Sequence, residues 1–305
     1  MEYHLPVLAK QSIEEMSIKS DGIYVDATFG GGGHSRLILE QLGPEGRLFC
    51  FDQDPDAREN LWEDERLTFF PANFRYIERF LKMEGVRKVD GILADLGVSS
   101  HQFDTAERGF SFRFDAKLDM RMSQSGEVTA ATVLNTYSES ELQKMFSSYG
   151  EVRNSKTLAQ AIVAARNSRA LETIQDLSGI LDSVGRGPKN RYYAQVFQAI
   201  RMEVNEEVAV LEDLLSASVN VLKEKGRLVV ISYHSIEDRL VKKLMKAGNV
   251  DGSVEKDFYG NIYRPFKLIS KKAIIPDDAE IKENPRARSA KMRVGERTAD
   301  QALEK

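Results

Sequence analysis

Strand-length apolar runs alternate with amphipathic stretches along the first 95 residues. The runs fall at 22–26, 47–52, 67–70 and 89–95, and helical spacing begins between them at Ser35, Pro55 and Phe74. Strand–helix alternation of this kind predicts successive βαβ units and a parallel sheet. Right-handed crossovers then bring residues 30–33, Asp52 and Asp95 to the carboxyl edge of that sheet, where a binding crevice is expected.

After Asp95 the next core-strand pattern, 226–232, comes about 130 residues later, far too long for one crossover helix. Ser138 and Glu141 form a capping-box pattern ahead of Leu142, Met145, Phe146 and Tyr149. Thr173 precedes Leu177, Ile180, Leu181 and Val184, and Tyr193, Val196, Phe197 and Ile200 repeat the spacing. These stripes predict a mostly helical insertion at 105–203 that divides the sheet domain into 1–104 and 204–305, with a helix over 205–223 returning the chain to the sheet. Alternating apolar positions at 259–272 and 290–296 predict an antiparallel pair at the sheet edge. The expected fold is therefore α/β and Rossmann-like, mostly parallel with an antiparallel C-terminal edge and an inserted helical domain.

The run Asp26-Ala27-Thr28-Phe29-Gly30-Gly31-Gly32-Gly33-His34 joins the first strand to the first crossover helix. Consecutive glycines imply unusual backbone angles or a backbone lying against a ligand. A carboxylate ahead of them would repel a pyrophosphate, but it suits a ligand with a cationic amino group such as S-adenosylmethionine. Ser35 stands where a dinucleotide fingerprint needs its third glycine. Asp52, about 20 residues after the loop, ends the second strand where a carboxylate can accept both ribose hydroxyls. Asp54, ahead of Pro55, fits a helix cap better than Asp52 does.

Length and composition, 305 residues and 42% hydrophobic, suffice for a core and an accessory domain. No run of about 18 apolar residues and no secretory leader pattern is present, so a cytoplasmic protein without membrane association is expected. One cysteine and four scattered histidines predict neither a disulfide framework nor a metal site. Cys50, between Phe49 and Phe51, reads as a buried hydrophobe, which argues against thiolate attack on a pyrimidine ring. The net charge of −4 excludes a uniformly basic nucleic-acid binder. The cations are nonetheless clustered: residues 264–293 hold nine Lys or Arg against four Asp or Glu, and Arg186, Lys189 and Arg191 share one short loop. Local patches on an acidic body fit contact with RNA at chosen places.

Three further segments can carry chemistry. Asp95-Leu96-Gly97-Val98-Ser99-Ser100 follows the fourth strand, where Asp95 could accept a hydrogen bond from an exocyclic amine or from the cofactor, and where the serines could equally cap a helix. Arg108, Phe110, Phe112, Arg113 and Phe114 alternate cations and aromatics, which suits either stacking on an extruded base or a buried lid. Tyr233 and His234 sit at the tip of the fifth strand, where the histidine can hydrogen-bond a ligand or cap the helix starting at Ser235.

Taken together, His4-Leu5-Pro6-Val7-Leu8, Gly30-Gly31-Gly32-Gly33-His34-Ser35, Asp52-Gln53-Asp54-Pro55, Asp95-Leu96-Gly97-Val98-Ser99-Ser100-His101-Gln102, Glu107-Arg108-Gly109-Phe110-Ser111-Phe112, Leu118-Asp119-Met120-Arg121-Met122, Ser232-Tyr233-His234-Ser235-Ile236-Glu237-Asp238-Arg239 and Asn284-Pro285-Arg286-Ala287-Arg288-Ser289-Ala290-Lys291 closely resemble the bacterial 16S rRNA (cytosine-N4)-methyltransferase family, RsmH or MraW. The resemblance implies a class I S-adenosylmethionine-dependent methyltransferase fold. It also implies methyl transfer to N4 of a cytidine in 16S rRNA of the small ribosomal subunit, position 1402 in the usual rRNA numbering. Cofactor contacts map onto Gly32, Gly33, His34, Asp52, Phe74, Asp95 and Gln102. The family has His-Val-Pro and Gly-Arg-Gly-Gly where this chain has His4-Leu5-Pro6 and Gly30-Gly31-Gly32-Gly33, and neither change removes a mapped contact.

Many amino-group methyltransferases carry a Pro-Pro-aromatic motif after the fourth strand, and this chain has Leu96-Gly97-Val98 there. The expectation is that Asp95 orients the amine for in-line displacement without a covalent enzyme intermediate, with His234 or Tyr233 shaping the base pocket. Arg108, Phe110, Arg113, Arg186, Lys189, Arg191, Arg286 and Arg288 are the expected RNA contacts. The sequence leaves a homodimer open. Three competing readings also remain: a small-molecule methyltransferase, a non-catalytic RNA-binding assembly factor and an NAD-dependent oxidoreductase.

Overall fold

The computed structural model describes residues 6–253 and 264–299, so His4 and positions 259–263 of the predicted terminal pair lie outside the described residues. The chain divides into two compact units, one built from residues up to Gly97 and from Val208 onward, the other Val98–Glu207.

The first unit opens with α1 (Ala9–Met16), β1 (Ile23–Asp26), α2 (Gly33–Gln41), β2 (Arg47–Phe51), β3 (Leu67–Phe70), α3 (Ile77–Met83) and β4 (Val89–Asp95). Tyr24, Val25, Phe49, Cys50, Phe51, Ile92 and Leu93 are completely buried, because central parallel strands are covered on both faces. That double burial explains why these strands appear as apolar runs without polar alternation. Helix α2 begins two residues before Ser35: Gly32 caps it with a φ of +74°, a conformation that glycine adopts without strain. The helix expected from Pro55 is a 3₁₀ turn, Pro55–Asn60, capped by the Asp54 side chain accepting from the Asp56 amide. Only Ala57 of that turn is buried, and one small residue provides no stripe on which an α-helix could pack.

The second unit is helical, with α4 (Ser100–Asp104), α5 (Ala130–Thr136), α6 (Glu139–Tyr149), α7 (Ser155–Ser168), α8 (Ile174–Val184) and α9 (Lys189–Val204). Ser138 with Glu141 and Thr173 with Asp176 form reciprocal capping boxes, so two donors at each helix start are satisfied locally. Leu142, Phe146, Leu158, Ile162, Leu177, Val196 and Ile200 meet in its core.

The first unit resumes at Val208, within α10 (Glu207–Val221), and continues with β5 (Leu222–Ser232), α11 (Ser235–Ala247), β6 (Phe266–Leu268), α12 (Asp278–Glu283) and β7 (Lys291–Arg297). The seven strands are ordered β3-β2-β1-β4-β5-β7-β6. Strands β1 to β5 pair in parallel, and β7 runs antiparallel between β5 and β6. This is the mostly parallel methyltransferase sheet with an antiparallel C-terminal edge that the sequence implies. Strand order reverses between β1 and β4, the place where open α/β sheets bind ligands. Among the described residues no helix is long and apolar enough to cross a membrane.

Gly91 shows how tightly the sheet packs, since an added Cβ would lie 2.9 Å from Tyr24 Cδ1 and 3.2 Å from Met16 Cε. Overpacking a closed core in this way destabilises by about 1–3 kcal/mol. Gly91→Ala should therefore lower the midpoint of urea denaturation, and an unchanged midpoint would mean that the contact relaxes freely.

Candidate active site

Three carboxylates end β1, β2 and β4, and each is held differently. Asp26 is 1% exposed: its Oδ2 accepts from Ser35 Oγ at 2.6 Å, and its Oδ1 accepts from the Thr28 amide at 3.1 Å. Burial raises its pKa, opposed by His34, Ser35 and Thr28. The expectation that Asp26 meets a cationic ligand group therefore changes, because its carboxylate is closed off from solvent as well as bonded within the fold. Its visible role is to tie the glycine loop to the start of α2.

The loop itself turns through Gly30 and Gly32, with φ of +50° and +74°. Gly30 donates its amide to Asp52 Oδ2 at 2.8 Å. A Cβ on Gly32 would lie 2.7 Å from Trp62 Cζ3, so this position excludes any side chain. A Cβ on Gly31 would meet nothing within 4 Å among the described residues, so the loop presents bare backbone there. Trp62 stacks near Phe29, and the Arg36 guanidinium lies 3.7 Å from its ring centre, which braces the loop from behind.

Asp52 accepts a second amide, from Asp54, on Oδ1 at 2.8 Å. Burial raises its pKa to about 6, with the two amides opposing and Asp54 and Asp26 adding to the rise. Each oxygen keeps a lone pair beyond the one its amide occupies, which suits a vicinal diol. Asn73 Nδ2 donates to Gln53 Oε1 at 2.8 Å and so fastens the turn bearing the half-buried Phe74 to the tip of β2. The bare loop and a diol-accepting carboxylate beside it fit the ribose and tail of S-adenosylmethionine.

Asp95 receives the Tyr233 hydroxyl on Oδ1 at 2.7 Å, and its amide donates to Thr28 Oγ1 at 2.7 Å. Its Oδ2 lies 4.0 Å from His34 Nδ1. The other ring nitrogen, Nε2, is 3.1 Å from the Val7 carbonyl. A carbonyl only accepts, so Nε2 carries a hydrogen and Nδ1 is the nitrogen that faces the carboxylate. Burial raises Asp95 to about 6, opposed by His34 and the Tyr233 hydroxyl and reinforced by Asp26 and Glu237. Its side chain nevertheless keeps 22% exposure, enough for a substrate to reach it. Burial and the adjacent Asp95 hold the Tyr233 phenol far above its ordinary range, so it is a permanent donor.

His234 caps α11: the Glu237 amide approaches its Nδ1 at 3.5 Å. Its Nε2 lies 3.1 Å from Glu237 Oε1 but outside hydrogen-bonding geometry, and has no hydrogen-bond partner among the described residues, so the contact is one of proximity. The capping role left open by the sequence is the one observed. Cys50 is fully buried, and burial raises its thiol well above the ordinary value, as expected for a residue that is no nucleophile.

The remaining expected residues scatter. In the second unit Gln102 closes a capping box with Ser99. Phe110, at 6% exposure, packs in the helical core, and Arg108 donates to the carbonyls of Arg121 and Met122 at 3.1 and 3.0 Å. Both correct the expectation of RNA contact: their side chains are consumed by that unit's own packing. Arg113, Arg186, Lys189 and Arg191 are exposed there, although Lys189 pairs with Asp182 at 2.6 Å. Arg286 and Arg288 are exposed in the first unit. Sequence reasoning missed Thr28, Gln53 and Trp62, which hold the site by long-range contacts that no spacing rule encodes.

The raised pKa of Asp52 makes a signed prediction. Ionised Asp52 offers acceptors only, so affinity for S-adenosylmethionine should fall as pH drops through about 6. Fold stability moves oppositely through this group: the stabilisation present below the unfolded value of 3.8 is lost as pH rises through about 6. Calorimetric titration across pH of about 5 to 8 should show the fall in affinity. Asp52→Asn should flatten it, and a wild-type affinity independent of pH would contradict the role.

A family model described as the MraW methylase family matches residues 1–298. The ribosomal RNA small subunit methyltransferase H of Bacteroides thetaiotaomicron is 53% identical over 298 residues, covering 97% of this chain and 98% of that one. Its counterpart of the same name in Flavobacterium johnsoniae is 55% identical over 298 residues, with coverage of 97% and 98%. A crystal structure of an rRNA methylase from Streptococcus thermophilus aligns with a TM-score of 0.43 at 10% identity, covering 98% of this chain and 99% of that one. A family match that runs nearly end to end, with relatives more than half identical over the same span, shows that the chain belongs to the MraW methylase family and is a methyltransferase.

Proposed function

We propose that this enzyme methylates the N4 amine of a cytidine in 16S rRNA of the small ribosomal subunit, at the position implied by the sequence motifs. The observation that carries the reading is Asp95, a half-buried carboxylate at the switch point of the sheet, fixed by Tyr233 and Thr28 yet still open to solvent. The relatives' name, ribosomal RNA small subunit methyltransferase H, supports the substrate class.

S-adenosylmethionine supplies a methyl group already activated on a sulfonium. The glycine loop, with Gly32, Gly33 and His34 as its expected contacts, provides the surface for its tail, and Asp52 accepts the ribose hydroxyls. Ionised Asp95 accepts a hydrogen bond from the cytidine N4 amine. That bond draws the nitrogen lone pair out of conjugation with the ring and points it along the displacement axis. Tyr233 donates to the other carboxylate oxygen and fixes the rotamer that does so. Orientation alone can lower the barrier by up to about 7–11 kcal/mol, so a positioned carboxylate and exclusion of bulk water suffice without a covalent enzyme intermediate. The buried Cys50 is consistent with transfer to nitrogen rather than ring carbon. In the second unit the exposed Arg113, Arg186 and Arg191 are the side chains offered for RNA phosphates.

Tritiated methyl transfer to small ribosomal subunits lacking the modification, followed by nucleoside analysis, tests the assignment. The label should appear in N4-methylcytidine; label in C5 or ribose methyl groups, or no transfer, would refute it. Asp95→Asn should lower kcat by about 100-fold or more, the scale on which a single transition-state hydrogen-bonding group contributes. Full turnover with unchanged cofactor affinity would remove Asp95 from the mechanism.

A further inference from the structure

A cavity of about 350 Å³ opens beside the tip of β5, walled by Tyr233, Ile275, Ile281, Arg288, Ser289 and Lys291. Its volume lies near the lower end of small-ligand pockets, the size of one base-sized group. Ile275 is 64% exposed at its mouth, an apolar side chain left in water. Arg288 and Lys291 are exposed too, and neither forms an ion pair among the described residues. Among the described residues no acidic side chain lines the space. Apolar and aromatic walls with two unpaired cations and a hydroxyl match a nucleobase joined to a phosphate.

We infer that this cavity holds a nucleotide of the substrate RNA next to the methylated cytidine. The inference rests on the function proposed above. Position selects the neighbour rather than the acceptor itself: Tyr233 lines the cavity and bonds Asp95 through its hydroxyl, whereas Asp95 does not line it. An occupant is therefore separated from the reacting amine by the tyrosine. Base contact at Ile275 and Ile281, with phosphate at Arg288 and Lys291, would fix the strand so that the next nucleotide reaches Asp95. A free nucleotide shares this chemistry but would gain nothing from the continuity with Tyr233.

The test compares wild type, Ile275→Asp and the double variant Arg288→Gln with Lys291→Gln in methyl transfer to small ribosomal subunits lacking the modification. A control double variant, Arg79→Gln with Lys82→Gln, removes two exposed cations from α3, away from the cavity. Both cavity variants should raise KM for the subunit by about tenfold, the scale of a lost phosphate or base contact, while kcat stays within about twofold. The charge variant should also reduce the salt dependence of binding by about 0.7 log unit per lost phosphate contact. Cofactor affinity should match wild type in every variant, which confirms folding. If the cavity variants keep the wild-type KM, or if the control raises KM as much as the charge variant, the cavity assignment is overturned. If wild type itself forms no N4-methylcytidine, the underlying reading fails first, and that outcome is visible before any variant is compared.

Discussion

Everything at the carboxyl edge of the sheet depends on burying Asp26. A carboxylate removed from water must be bonded on both oxygens or it destabilises the fold by several kcal/mol. Ser35 and the Thr28 amide provide those bonds. In doing so they fix the first turn of α2 and the entry to the glycine loop. Thr28 then accepts the Asp95 amide through its own hydroxyl, so a single residue connects the tips of β1 and β4. His34, one residue before Ser35, is thereby placed against Asp95 and the Val7 carbonyl.

Two consequences follow for chemistry. The carboxylates that face the site, Asp52 and Asp95, are each raised to about 6, chiefly by burial, with a smaller contribution from Asp26. Their charge is thus held under tension that a ligand's hydroxyl or amine donors relieve. The glycine loop also needs no side chain of its own, since Trp62 and Phe29 pack against it while Gly31 meets no other described residue. Binding and orientation are therefore built from backbone and strand tips.

Much of this was legible in the chain. Buried parallel strands require continuous apolar runs, and those runs located Asp52 and Asp95 at strand ends. The capping patterns at Ser138 and Thr173 fixed helices of the insertion because they act within one turn. Long-range contacts were not legible. Arg108 and Phe110 resemble an RNA-stacking segment by pattern, yet Arg108 spends its donors on carbonyls 13 and 14 residues away. Asp26 lost its expected ligand role to a serine nine residues on, which only the geometry of α2 brings within reach. The cavity at Ile275 and Lys291 joins the end of β5 to a segment some 40 residues later in sequence, a pairing that local pattern cannot announce.

The central claim is that ionised Asp95 orients the amine that receives the methyl group. Single-turnover transfer to unmodified small ribosomal subunits, measured at saturating cofactor so that Asp52 does not limit, tests it most directly. The rate should fall as pH is lowered through about 6, the value to which burial raises Asp95, and Asp95→Asn should be slow at every pH. A wild-type rate that stays flat to a full unit below that value would contradict the account.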